Sequence, residues 1–358
     1  MELKSEYMRT EEKVIFALRE LYSKYGYAQF KMSKFEEYDL YVRNKDFLVS
    51  DSVITFNDTN GKLMALKPDV TLSIIKNSAD TKEVQKLYYN ENVYRVSKNT
   101  HSFKEIMQTG LECIGNLGTY NICEVVTLAA KSLSAISENF VLDISHMGLI
   151  SSVLEGIDSE TKKEILQFIS EKNAHDLSAL CEKEGIDSTV ITALINVNGT
   201  AKEIKEKLSA IPFGESSKES LEEIFAVAEI LLSLPEKDKI HFDFSIVNDM
   251  NYYSGIVFKG YIEGIPTGIL SGGRYDLLMN KMGKKSGAIG FAVYLDFLER
   301  YMEETKEYDT DILLLYNNTD KLAEVLKTVD TLTSQGNRVL AETAVPDGIK
   351  YKTLLRFE

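Results

Sequence analysis

Apolar residues recur at helical spacing over residues 10–25, where Val14, Leu18, Leu21 and Tyr22 share one face. The periodicity predicts an amphipathic helix with Thr10 as N-cap and Gly26 as its stop. Two short apolar runs, Val53–Phe56 and Leu63–Leu66, follow around Asn60-Gly61. They predict a hairpin whose turn uses the positive φ open to glycine. Pro68 forces an extended residue before it, and Asp69 can cap a helix opening near Val70. Runs at 87–96 and 105–114 predict two strands around a polar loop, Ser97–Lys104. The second alternates, with Met107, Leu111 and Cys113 on one face and Gln108, Gly110 and Glu112 on the other. A helix over 121–136 and a strand at Val141–Ile144 complete this block.

The pattern then changes. From 148 to 236 helical spacing dominates, at 159–172, 174–184, 200–210 and 218–234, and strand signals nearly vanish, which predicts a helical insertion. Strands are expected again at 240–247, 252–261 and 267–270. A glycine-rich turn, Ser271-Gly272-Gly273-Arg274, should lead into a helix, and residues 288–303 should pass from strand to helix. Strand 311–316, helix 319–334 and strand 337–342 predict a small α/β unit. The expected fold class is α+β. A core over 1–305 carries the insertion at 148–236, and a short unit spans 306–358. No P-loop or GxGxxG follows a strand, so mononucleotide and Rossmann sites lack support.

Composition narrows the function. The 55 acidic and 41 basic residues give a formal net charge of −14, which argues against a chain built to neutralise nucleic-acid phosphates. The three cysteines form no CxxC pair, and no two of the four histidines lie two to five apart. Neither a disulfide framework nor a metal site is expected. The opening MELKSEYMRTEEK has no apolar stretch, and the longest one, Ile224–Leu234, is interrupted by Glu229. A cytoplasmic setting without membrane attachment is expected.

Several strings can carry chemistry. Asp69 and Thr71, at a strand-to-helix junction, suit an ammonium group, or else a helix cap. Gln108 and Glu112 are roughly 13 Å apart along a strand, too far for paired acid/base work on one bond. They suit two contacts to one ligand, or a solvated sheet face. Arg95 suits a carboxylate or phosphate, or a structural ion pair. Tyr252, Tyr253 and Tyr275 lie near tight turns and suit either a polar-tipped pocket or a core.

Taken in chain order, these strings resemble the catalytic core of class II aminoacyl-tRNA synthetases, and specifically the histidyl enzyme, over roughly residues 5–304. Leu87–Gly115 resembles motif 2 with Arg95 as its arginine, and Gly290-Phe291-Ala292 resembles motif 3. Leu66–Thr71 is similar to the segment that contacts the substrate amino group. Gln108-Thr109-Gly110-Leu111-Glu112 matches the Q-x-G-x-E of the histidine pocket. Asn251-Tyr252-Tyr253 and Gly272-Gly273-Arg274-Tyr275-Asp276 match histidyl-specific strings. The resemblance implies an antiparallel sheet flanked by helices and a homodimer through the N-terminal core. It also implies a histidine site lined by Asp69, Thr71, Arg95, Gln108, Glu112, Tyr252, Tyr253 and Tyr275.

The departures fall on the nucleotide side. Asn248 and Phe297 stand where the histidyl enzymes place arginines, and the loop Val96–Lys104 carries neither Arg nor Glu. Adenylation depends on fixed positive charge at the phosphates, and losing one donor typically costs about 10²–10³ in rate. No catalytic residues and no cofactor are therefore expected. Residues 306–358 hold seven basic and nine acidic residues, a poor surface for tRNA. The pattern resembles the regulatory subunits of ATP phosphoribosyltransferase, the first enzyme of histidine biosynthesis. That resemblance implies a hetero-oligomer with a short-form catalytic subunit, activation of that subunit, and feedback inhibition by L-histidine. A divergent histidyl-tRNA synthetase, or another synthetase-like amino-acid-binding protein, is the alternative.

Overall fold

The computed structural model describes residues 8–45, 53–97, 101–247, 252–301, 307–317 and 321–357. The chain divides into two compact units, residues 1–302 and 303–358.

In the first unit, helix α1 (Thr10–Lys24) buries Val14, Leu18 and Tyr22 on the predicted face. Arg9, not Thr10, is its N-cap, because the Arg9 amide donates to Glu12 at 2.9 Å. Gly26 ends the helix at φ +81°. Strands β1 (Ala28–Gln29) and β2 (Phe35–Glu37) and helix α2 (Tyr38–Arg43) follow. The expected hairpin forms from β3 (Thr55–Asn57) and β4 (Leu63–Leu66), and β2 adds to β4 to make a three-stranded sheet. Helix α3 (Thr71–Asn77) opens where Asp69 accepts from the Leu72 amide at 2.9 Å.

Strands β5 (Gln85–Val96) and β6 (Phe103–Gly115) form a long antiparallel pair. Helix α4 (Thr119–Ile136), strand β7 (Phe140–His146) and helix α5 (Met147–Val153) come next. The insertion then contributes α6 (Ser159–Ser170), α7 (Ala174–Glu184), α8 (Thr189–Ile195), the short strand β8 (Asn198–Thr200), α9 (Ala201–Ser209) and α10 (Lys218–Leu231). The unit closes with β9 (Ile240–Asp243), β10 (Ile256–Ile262), β11 (Leu270–Arg274), α11 (Asp276–Lys281), β12 (Gly287–Tyr294) and α12 (Asp296–Tyr301).

Nine strands join one sheet in the order β1-β5-β6-β12-β11-β10-β7-β9-β8. It is antiparallel except at β1–β5 and β7–β9. One sheet face, with Leu111, Phe258 and Phe291, packs on α1 and α4 in the main core. The observed fold is therefore α+β, built on a mostly antiparallel sheet.

Three expectations need correction. Ser271–Arg274 is not a turn but the strand β11, paired on both sides. Its glycines answer to crowding: a Cβ on Gly272 would lie 2.4 Å from the Gly290 carbonyl. The strand expected at 252–261 begins only at Ile256. The insertion is not free of strand, since β8 pairs with β9.

The second unit is a parallel sheet of β13 (Thr310–Leu315), β14 (Val339–Glu342) and β15 (Tyr351–Arg356), with helix α13 (Leu322–Ser334). Arg338 and Asp311 pair at 3.1 Å within it.

Candidate functional site

Alternation along the sheet puts Gln108, Gly110 and Glu112 of β6 opposite Tyr294, Ala292 and Gly290 of β12. These residues share the face that turns away from α4. The strip between β6 and β11 is floored by residues with little or no side chain, and each absence makes room for a neighbour. A Cβ on Gly290 would sit 1.7 Å from Glu112 Oε2, one on Gly110 2.6 Å from the Tyr89 hydroxyl, and one on Gly273 2.8 Å from the Tyr253 ring. Polar side chains thus lie flat on the sheet.

Glu112 is at the centre. It is only 2% exposed. Tyr275 donates to its Oε2 at 2.5 Å and Thr71 to its Oε1 at 3.0 Å. Burial pushes its carboxyl up to about 8, against the two hydroxyl donors that favour the charged form. Asp69, also raised by burial, adds a second carboxylate close enough to act on Glu112. Tyr252 stacks at a tilt on Tyr253 (4.5 Å) and on Tyr275 (5.9 Å), closing one wall. Burial raises all three phenols, so none ionises near neutral pH.

The other wall comes from β5. Arg95 donates its Nε to the Pro68 carbonyl at 3.1 Å, which fixes the guanidinium beside the start of α3. Its terminal nitrogens bond no other described residue. Fully buried Lys67 pairs with Glu91 at 2.9 Å, tying the same junction to β5. Gln108 is 3% exposed, so the sheet face is not solvated at this point. The Gln108 amide and the Tyr253 hydroxyl have no hydrogen-bond partner among the described residues.

The structure brings together Asp69, Thr71, Arg95, Gln108, Glu112, Tyr252, Tyr253 and Tyr275 around one space. Asn248 and Asn251 lie outside the described residues. Phe297 packs at the rim of the main core, with its ring edge-on to Tyr294 at 6.5 Å. Sequence reasoning missed Tyr294 and Tyr89, which face this space. The signal was present in the strand parity that places Tyr294 with Gly290 and Tyr89 with Arg95.

The Gly272–Asp276 string also ties the site to the insertion. Arg274 donates to Asp276 at 2.8 Å and to Glu223 of α10 at 2.9 Å. Glu223 bonds His146 Nε2 at 3.1 Å, while His146 Nδ1 accepts from the Leu149 amide. Asp276 in turn accepts from the Ala288 amide at 2.9 Å, so Tyr275 is clamped from both sides. Arg274 and Asp276 also line a cleft of about 590 Å³ with Lys82, Asn116, Asn280 and Lys285. That cleft includes none of the eight pocket residues.

Such a site offers an anion and hydroxyls, a guanidinium, and a carboxyl able to exchange a proton near neutral pH. It is suited to a small zwitterion with a basic ring. Among the described residues, no group of three His, Cys, Asp or Glu side chains is placed to hold a metal ion. No helix there is long and apolar enough to cross a membrane.

Known proteins share this chain's sequence pattern and fold. The family model described as histidyl-tRNA synthetase matches residues 1–298. The ATP phosphoribosyltransferase regulatory subunit of Caldanaerobacter subterraneus subsp. tengcongensis is 30% identical over 289 residues, covering 78% of this chain and 75% of the relative. The chain belongs to the histidyl-tRNA synthetase family, on the branch of the ATP phosphoribosyltransferase regulatory subunits. The same architecture occurs in an ATP phosphoribosyltransferase regulatory subunit/histidyl-tRNA synthetase from Bacillus halodurans C. The TM-score is 0.77 at 22% identity, with 99% of this chain and 96% of that one covered. It occurs again in an ATP phosphoribosyl transferase (HisG:HisZ) complex from Thermotoga maritima. There the TM-score is 0.64 at 19% identity, with 81% of this chain and 98% of that one covered. Family membership accounts for the synthetase-like sheet.

Proposed function

We propose that this chain is a non-catalytic regulatory subunit of ATP phosphoribosyltransferase, which binds a short-form catalytic subunit, activates it, and mediates its inhibition by free L-histidine. The observation that carries the reading is Glu112, buried between two hydroxyl donors on the sheet face it shares with Gln108, four residues along β6. The ligand ammonium meets Asp69 and Thr71. Its carboxylate meets the terminal nitrogens of Arg95. Its imidazole lies between Glu112 and a tyrosine hydroxyl, and a carboxyl with a pKa of about 8 can pass a proton to an imidazole. A site of buried polar groups rejects an apolar isostere by a wide margin, because its own groups are then left unpaired.

Phe297 and Asn248, in place of two phosphate-facing arginines, support a binding protein over a ligase. The relatives' names and the solved two-protein complex support the catalytic subunit as partner. The test is co-expression with a short-form catalytic subunit, followed by phosphoribosyl-transfer assays with and without histidine. The expected outcome is activity that depends on this chain and falls when histidine is added. Histidine-dependent pyrophosphate exchange by the isolated chain, at a synthetase-like rate, would refute the non-catalytic reading.

A further inference from the structure

Tyr294 is the last residue of β12. Its neighbours Val293 and Leu295 are fully buried in the main core. Strand parity therefore leaves Tyr294 one direction, onto the pocket face beside its cross-strand partner Gln108. Its amide donates to the Ile269 carbonyl at 2.8 Å, which holds the backbone, and Phe297 braces the ring from α12. The half-buried phenol lies close enough to Arg95 and Asp69 to feel both charges. Its hydroxyl has no hydrogen-bond partner among the described residues.

Along β6 and β12 this face runs from Glu112 opposite Gly290, with Tyr275 on Glu112, through Gly110 opposite Ala292, to Gln108 opposite Tyr294, with Arg95 of β5 beyond. A ligand whose ring lies at Glu112 and whose ammonium lies at Asp69 must direct its carboxyl group toward Arg95 and Tyr294. Anything attached through that carboxyl has to pass a braced aromatic ring rather than open space.

We propose that Tyr294 is a specificity-determining residue that closes the carboxylate end of the pocket, so that the site takes a free α-amino acid and excludes derivatives extended through the carboxyl group, nucleotide-bearing acyl compounds above all. This rests on the reading of the pocket as a histidine site. The hydroxyl adds a donor to the carboxylate beside Arg95, and the ring supplies the steric stop. Exclusion therefore comes from a group placed where the extension would run, in addition to any loss of phosphate contacts.

The test is calorimetric titration of the full chain with L-histidine and with the stable adenylate analogue 5′-O-(N-L-histidylsulfamoyl)adenosine. Wild type, Tyr294→Gly and Tyr294→Phe are compared. Both ligands are titrated into each protein, so the missing free carboxylate of the analogue is common to all three. Wild type is expected to favour histidine by at least 100-fold. Tyr294→Gly should cut that preference at least tenfold, through a gain in affinity for the analogue. Tyr294→Phe should keep the preference, with a several-fold loss of histidine affinity from the missing hydroxyl. Wild type binding the analogue as tightly as histidine, or an unchanged preference in Tyr294→Gly, overturns the proposal. Should the glycine variant not fold, Tyr294→Ser takes its place, with the same outcomes supporting or overturning the proposal. Wild type binding neither ligand refutes the histidine pocket itself, a different result from histidine binding without discrimination.

Discussion

The two faces of the central sheet are made by the same strands and have opposite characters. Toward α1 and α4, alternate residues are Leu111, Cys113, Ile144, Phe258, Ile289 and Phe291, all buried in one continuous apolar cluster. Toward the pocket, their neighbours are Gln108, Gly110, Glu112, Gly273 and Gly290. The first face gains stability from burying area and close packing. The second holds carboxyl groups out of water, and burial raises Glu112 and Asp69. Strand alternation therefore lets one sheet hold a stabilising surface and the proposed binding surface back to back.

The comparison can be broken most directly from its apolar side. Phe258→Ala removes a fully buried ring that packs edge-on to Phe291 at 6.1 Å. It should cost about 3–5 kcal/mol in denaturant unfolding. A loss below about 1 kcal/mol would show that the face does not carry the stability assigned to it.

The pocket side should respond with the opposite sign. The folded-state pKa of Glu112, about 8, lies above its ordinary 4.5, so the folded chain binds that proton more tightly than the unfolded chain. The resulting stability is whole below about pH 4.5 and is lost as pH rises through about 8. Glu112→Gln, which stays neutral, should remove this loss and leave the variant more stable than wild type at pH 8, by a few kcal/mol. Parallel pH profiles for the two proteins would mean that Glu112 is already ionised at neutral pH.

Ligand binding sharpens the contrast further. Glu112→Ala should weaken histidine binding by about 1–3 kcal/mol in calorimetry, with assembly on the catalytic subunit unchanged. Equal affinities would place the feedback site away from this pocket. At the smallest end, Glu20→Gln deletes an exposed partner of Lys24 on α1, and its thermal midpoint should match wild type within error.

The sequence made much of this arrangement legible. The alternation of β6 by itself separates Leu111 from Glu112, and Asp69 is readable as a cap because Pro68 fixes the residue before it. Other features follow from forces that local pattern does not encode. Ser271–Arg274 looks like a turn because glycine usually relieves backbone angles, whereas here it relieves contact with β10 and β12. Helix α5 is capped by the His146 ring, which accepts from the Leu149 amide at its first turn, a cap that no Ser, Thr, Asp or Asn at that position announces. Strand β15 has no regular alternation, since its residues are nowhere deeply buried. Tyr294 passes unnoticed inside an apolar run until its pairing with Gln108 shows which way it points.

The glycine floor has a consequence for how the chain can change over generations. Every single-base change in a glycine codon that replaces glycine by another amino acid adds a Cβ. At Gly110, Gly273 and Gly290 that atom would strike Tyr89, Tyr253 and Glu112. None of these positions can therefore drift one mutational step at a time, because the added atom would also meet the backbone carbonyls of Phe291, Ile256 and Leu111, which no exchange of the overlying side chain removes. If the proposed pocket is the binding site, new ligand preferences are then reached from its walls, where Thr71, Arg95, Gln108 and Tyr294 can each be exchanged without rebuilding the floor.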